Sequence, residues 1–202
     1  NVCTTNDLWL ISDEVYDTQV WEGAHISPRS LPGMKDRTLT IGSMSKSHAM
    51  TGSRIGWICG PEDIISSIID LSTHTTYGVP GFIQDAANFA LNQGDKLEIE
   101  VSAPFARRRK IAIELLEQQS VVRAVPCSGA MYMMLNIRAT GLSGQEFASA
   151  LLAAKNIAVM PGESFGTAAA GHIRVAMTVP DIDFRQAFRV LLNFALVQVV
   201  TK

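Results

Sequence analysis

The sequence predicts an α/β fold in which a partial α/β domain gives way, near residue 100, to a smaller α+β domain. Three observations carry this. Three short apolar runs come first, Leu8 to Ile11, Thr38 to Ile41 and Ile55 to Cys59. Each is bounded by Gly, Ser, Asp or Pro, as buried strands of an α/β sheet are. A helical stretch then runs to about residue 119, and beyond it the texture changes to short strands separated by turn residues.

Gly60-Pro61 opens the first long helix, with Pro expected at the first helical position and Glu62 and Asp63 in the positive first turn. Ile64, Ile65, Ile68, Ile69 and Leu71 supply its apolar face. A second helix runs from Phe82 to Gln93 and stops at Gly94. A long charged helix extends from about Lys96 to Gln119, started or kinked by Pro104. Val121 to Val125 and Met131 to Ile137 read as strands across the turn Pro126-Cys127-Ser128-Gly129. Ser143 and Glu146 form a capping box for a helix bearing Phe147, Leu151 and Leu152. Ile157 to Met160 and His172 to Met177 are further strands. Asp183 and Gln186 cap a last helix with Phe184, Phe188, Leu191, Leu192 and Ala195 on one face. The domains are therefore expected at residues 1–100 and 101–202.

Composition narrows the function classes. A net charge of -2 and a charged fraction of 18% offer nothing to a nucleic acid or an anionic membrane, and no apolar run is long enough to span a bilayer. Cys3, Cys59 and Cys127 are widely spaced and form no Cys-x-x-Cys pair. Neither a disulfide framework nor a zinc site is expected, and a reducing cytoplasm is the default. The four histidines lack metal-ligand spacing and read as surface or packing residues. The run Arg107-Arg108-Arg109-Lys110 is flanked by glutamates and reads as a solvated helix face.

Four segments stand out together: Ser12-Asp13-Glu14-Val15-Tyr16 after the first strand, Ser43-Met44-Ser45-Lys46-Ser47 after the second, Met50-Thr51-Gly52-Ser53-Arg54-Ile55-Gly56 before the third, and His172-Ile173-Arg174 in the second domain. Ligand sites of α/β sheets lie outside the carboxyl ends of parallel strands, where the first two segments fall. Taken singly, each has a plain reading. A lysine between serines is usually solvated, an aspartate after a strand is a turn residue, and a half-buried tyrosine packs on the strand end. Either arginine could make a structural ion pair. A buried arginine such as Arg174, within an apolar run, needs a partner, and a carboxylate suits its planar fork.

Jointly, Ser-Asp-Glu-x-Tyr, Ser-x-Ser-Lys and Gly-x-Arg-x-Gly resemble the class I/II aminotransferases of pyridoxal-phosphate fold type I. Ser128-Gly129-Ala130-Met131-Tyr132 and Pro161-Gly162-Glu163-Ser164-Phe165-Gly166 extend the resemblance through essentially the whole chain. It implies the C-terminal half of such an enzyme: part of a three-layer α/β/α large domain with a mostly parallel sheet, then the small domain. The implied cofactor is pyridoxal 5′-phosphate. Lys46 would carry it as a Schiff base and move the proton at the substrate carbon. Asp13 would keep the pyridine nitrogen protonated, and Tyr16 would donate to the phenolate oxygen. Arg54, Ser43 and Ser45 would hold the phosphate, and Arg174 the substrate's α-carboxylate. Ser53 departs from the family, where a bulky residue is usual.

The implied reaction is transamination between an amino acid and a 2-oxo acid, of aspartate or arginine–pyruvate type, in a homodimer. A C–S β-lyase, the aminotransferase-like effector domain of a transcription regulator, and a remnant that only packs against a partner chain are the other readings. The opening, Asn1-Val-Cys-Thr-Thr followed almost at once by a strand, reads as cut from something longer. The polypeptide alone is accordingly expected to be inactive.

Overall fold

The structure, a computed structural model, describes residues 1–200. The chain divides into two compact units, Asn1–Ser102 and Ala103–Lys202.

The first unit contains α1 (Val2–Thr5), β1 (Leu10–Asp13), β2 (Thr38–Ser43), α2 (Met44–Ser47), β3 (Gly56–Cys59), α3 (Glu62–Thr75) and α4 (Gly81–Leu91). The strands form one sheet in the order β1-β2-β3. β1 and β2 are parallel, with Asp13 opposite Ile41. β3 is antiparallel to β2, with Gly56 opposite Ser43. The carboxyl ends of β1 and β2 and the entry to β3 thus share one end of the sheet. Glycine is required there: a Cβ on Gly56 would run into the Gly42 carbonyl, and one on Gly42 into the Trp57 indole.

The expectation of buried strands is corrected for this unit. All four residues of β3 are exposed, β1 alternates between half-buried and exposed, and Ile11 is 66% accessible. A parallel-type strand is buried only when layers cover both faces of its sheet. Among the described residues of this unit, only Met34, Met44, Ala87 and Ala90 form a buried apolar set. Pro61 is the N-cap of α3 rather than its first helical residue, and Ile69 and Leu71 are exposed.

The helix α5 (Asp95–Leu116), with Pro104 inside it, is followed by β4 (Arg123–Ala124), β5 (Tyr132–Asn136), α6 (Gly144–Lys155), β6 (Met160–Pro161), β7 (His172–Ala176) and α7 (Asp181–Val200). The sheet order is β4-β5-β7-β6, antiparallel throughout. Alternation puts Met133, Leu135, Ile173 and Val175 into a core shared with Phe147, Leu151, Phe188 and Leu191. Phe147 meets Phe194 edge to face, with centroids 5.3 Å apart. The Ser143–Glu146 capping box forms as expected.

Some details differ from expectation, among them the strand expected at Ile157 to Met160, which shares only Met160 with β6. The last helix begins at Asp181, two residues before Asp183, because Asp181 is held by Arg107 Nε and Arg108 Nε, each at 2.8 Å. The basic run is therefore no simple solvated face: the Arg108 side chain is 12% exposed, and Arg109 Nε donates to the Cys127 carbonyl at 3.1 Å.

Candidate functional site

Lys46 lies in the last turn of α2, directly after β2. Ser43 caps this helix, its hydroxyl accepting from Ser45 N at 3.1 Å and donating to the Ile55 carbonyl at 3.4 Å. The Lys46 carbonyl accepts from Gln19 Nε2 at 3.2 Å, and Gln19 is fully buried, which fixes the backbone beneath the lysine. The amine stays half-exposed, 6.0 Å from the Tyr16 ring centroid. Among the described residues no carboxylate pairs with it.

Asp13 ends β1 and is exposed. Its Oδ1 accepts from Val15 N at 3.3 Å, so the turn after the strand is built on the carboxylate itself. Arg54 occupies a left-handed conformation, φ +53°, uncommon for a residue with a Cβ. It is exposed, and its Nη1 donates to the Thr51 carbonyl at 3.0 Å. Lys46, Asp13, Tyr16, Ser43, Ser45 and Arg54 are thus gathered at one end of the first unit's sheet.

Arg174 belongs to the second unit, and here the reading of a buried arginine is corrected. It faces away from the core, with Tyr132 and Met134, because the β7 period sends Ile173 and Val175 inward. Its guanidinium carbon lies 4.2 Å from the Tyr132 ring centroid and 4.6 Å from that of Phe165. Among the described residues no carboxylate pairs with it. It borders an open groove of about 340 Å³ that Pro126, Cys127, Ser128 and Tyr132 also line.

Sequence reasoning missed several supporting residues. Glu14, beside Asp13, is 7% exposed and accepts from His25 Nε2 and Ser27 Oγ, both at 2.8 Å. His48, two residues after Lys46, is buried, with Nδ1 2.7 Å from Ser47 Oγ and Nε2 3.7 Å from Glu98. Glu163 Oε1 accepts from Gly144 N at 2.9 Å and Gly171 N at 3.1 Å. A histidine between small residues gives no signal of such pairing. The Glu163 position, inside Pro-Gly-x-x-Phe-Gly, could have been found by asking what holds that loop.

The chain has the α/β fold of solved aminotransferase structures. It belongs to the aminotransferase class I and II family, whose model matches residues 1–191. It is 46% identical over 189 residues to the arginine–pyruvate transaminase of Pseudomonas aeruginosa, covering 93% of this chain and 48% of that one. The aspartate aminotransferase of Pyrococcus abyssi is 36% identical over 174 residues, covering 85% and 44%. Among solved structures, an aromatic aminotransferase from Pyrococcus horikoshii superposes with a TM-score of 0.91 at 32% identity, over 98% of this chain and 54% of its own. A single mutant of the Thermus thermophilus aspartate aminotransferase gives 0.86 at 30%, over 96% and 50%. The chain spans about half the length of the curated relatives it matches.

Proposed function

We propose that this chain carries the cofactor-bonding lysine and the small domain of a pyridoxal 5′-phosphate-dependent transaminase, which moves the α-amino group of an amino acid to a 2-oxo acid. The observation that supports this most is the convergence at one sheet end. Lys46 follows β2, Asp13 and Tyr16 follow the parallel β1, and Arg54 precedes β3. This donor set fits the cofactor: an amine with no acidic partner among the described residues, an exposed carboxylate, and a guanidinium whose hydrogen bond is to a local carbonyl.

When bound, pyridoxal phosphate supplies an electron sink for the bond broken at the substrate's α-carbon. Lys46 would hold the cofactor through Nζ and would serve as acid and base for the proton at the substrate's α-carbon. The Asp13 carboxylate would keep a proton on the pyridine nitrogen, and the Tyr16 hydroxyl would donate to the ring's phenolic oxygen. Arg54 offers a planar fork to the phosphate, joined by Ser43 and Ser45. Arg174 takes the α-carboxylate. The arginine–pyruvate relative favours that substrate type among transaminases. We place residues 1–100 in the large domain and 101–202 in the small one. A homodimer in the cytoplasm goes with the reading, and the three cysteines are free. The lyase, regulator and remnant readings have no observation of their own in their favour.

The test is borohydride reduction of the protein expressed from its complete gene, with pyridoxal phosphate present, followed by peptide mapping. The label is expected on Lys46; a label on another lysine overturns the proposal. A donor and acceptor screen, followed by the cofactor's absorbance, then names the substrates.

A further inference from the structure

Arg174 is held in an unusual setting for an arginine with no acidic partner among the described residues. Two aromatic rings lie within cation–π range of its guanidinium carbon, Tyr132 at 4.2 Å and Phe165 at 4.6 Å, and they come from segments on the two sides of β7, β5 and the turn after β6. All five N–H donors of a guanidinium lie in its plane. Rings packed against a guanidinium leave its N–H edge for a ligand, and the planar, bidentate partner for that edge is a carboxylate.

We propose that Tyr132 and Phe165 are positioning residues that bracket Arg174 and hold its N–H edge toward a substrate carboxylate. The proposal rests on the reading that Arg174 binds the α-carboxylate. Tyr132 is supplied by the sheet: Met134 stands opposite Arg174, so Tyr132 is the diagonal neighbour on the same face. Phe165 is supplied by the turn after β6, which stays registered to β7 through the Met160–Arg174 and Pro161–Ile173 pairs.

Glu163 fastens that turn. Its Oε1 takes N–H bonds from Gly144, at the start of α6, and from Gly171, which leads into β7. The same carboxylate therefore ties the segment carrying Phe165 to the segment carrying Arg174. Phe165 itself is 46% exposed, a poor place for a ring whose only task is to fill a core. Its contact with Arg174 gives that exposure a purpose. An arginine already ordered by two rings loses less rotamer freedom when a ligand arrives.

The experiment uses the protein from its complete gene and four bracket variants, Phe165→Leu, Tyr132→Leu, Phe165→Tyr and Tyr132→Phe, with Arg174→Ala as reference. Two quantities are read: KM and kcat for the amino donor, and the Kd of butyrate, an unreactive monocarboxylate, by calorimetry. Both leucine variants are expected to raise KM and the butyrate Kd about fivefold, with kcat within about twofold, as loss of ground-state positioning predicts. The aromatic replacements are expected to retain parental values. If Arg174→Ala weakens butyrate but the leucine variants do not, the bracket is wrong and the Arg174 reading stands. If Arg174→Ala leaves butyrate binding unchanged, the reading itself falls. Should Tyr132→Leu fail to fold, the exposed Phe165 carries the test alone.

Discussion

His25 Nε2 lies 2.8 Å from the Glu14 carboxylate, and this contact ties the loop after β1 back to the strand end that bears Asp13. A carboxylate can only accept, so the imidazole carries a proton on Nε2. Ser27 Oγ, at 2.8 Å, and Thr40 Oγ1, at 3.4 Å, complete the shell around Glu14. The side chain next to Asp13 is thus a structural anchor.

Glu14 should make stability depend on acidity. Burial pushes its carboxyl up, but hydrogen bonds from His25, Ser27 and Ser12 outweigh this and leave it below the ordinary 4.5. A carboxyl lowered on folding adds stability above its unfolded value, and that addition is lost as pH falls through the folded value. Glu14→Gln is expected to cost about 2 kcal/mol near neutrality. Urea denaturation should show the gap closing in more acidic buffer; an unchanged gap at about pH 3 would refute it.

Glu163 should behave with the same sign in the second unit. N–H donors, its own first and then those of Gly144 and Gly171, hold its carboxyl below 4.5. Glu163→Ala leaves those donors without their acceptor, so its thermal midpoint should lie below the parent's at neutral pH. The difference should shrink as the parent's carboxyl protonates in acid. Scanning both proteins across that range checks it.

Arg54 tests the phosphate assignment. It is exposed and its hydrogen bond is to a local carbonyl, so Arg54→Ala should leave the far-ultraviolet spectrum unchanged. Cofactor affinity should fall by roughly 10- to 100-fold, the size of a charge-assisted pair. Arg54→Lys should fall between, since an ammonium keeps the charge but lacks the fork. Equilibrium titration with pyridoxal phosphate decides; equal affinity in all three proteins would remove Arg54 from the phosphate site.

The capping box offers a prediction independent of function. Ser143 Oγ accepts from Glu146 N at 3.2 Å, and Glu146 Oε2 accepts from Ser143 N at 2.9 Å. Ser143→Ala should cost about 1 kcal/mol. Leu151→Ala, at a fully buried site of the same helix, should cost about 2–5 kcal/mol. Chemical denaturation gives both values, and the order should not reverse.

Much of this protein was legible along the chain because its signals are local. The three strands before Gly60 and the Ser143–Glu146 box each depend on residues within a turn or two of one another, whereas α4, expected to run to Gln93, ends at Leu91. The motifs around Asp13, Lys46 and Arg54 were legible for a related reason: each is a short run at the end of a strand. The start of the last helix was misplaced by two residues because Asp181 is fixed by Arg107 and Arg108, which lie far away in sequence.

By itself the sequence determined which residue types stand at the strand ends, and so the chemistry that Lys46, Asp13 and Arg54 can offer. Tertiary structure decided what surrounds them. It placed Glu14 against His25, Glu163 against Gly144 and Gly171, and Arg174 beside two rings. It also left Ile11 of β1 and the apolar residues of β3 exposed, because burial depends on the layers that cover a sheet as well as on the hydrophobicity of its strands. Contacts of this kind join residues distant in the chain, and no periodicity or spacing encodes them.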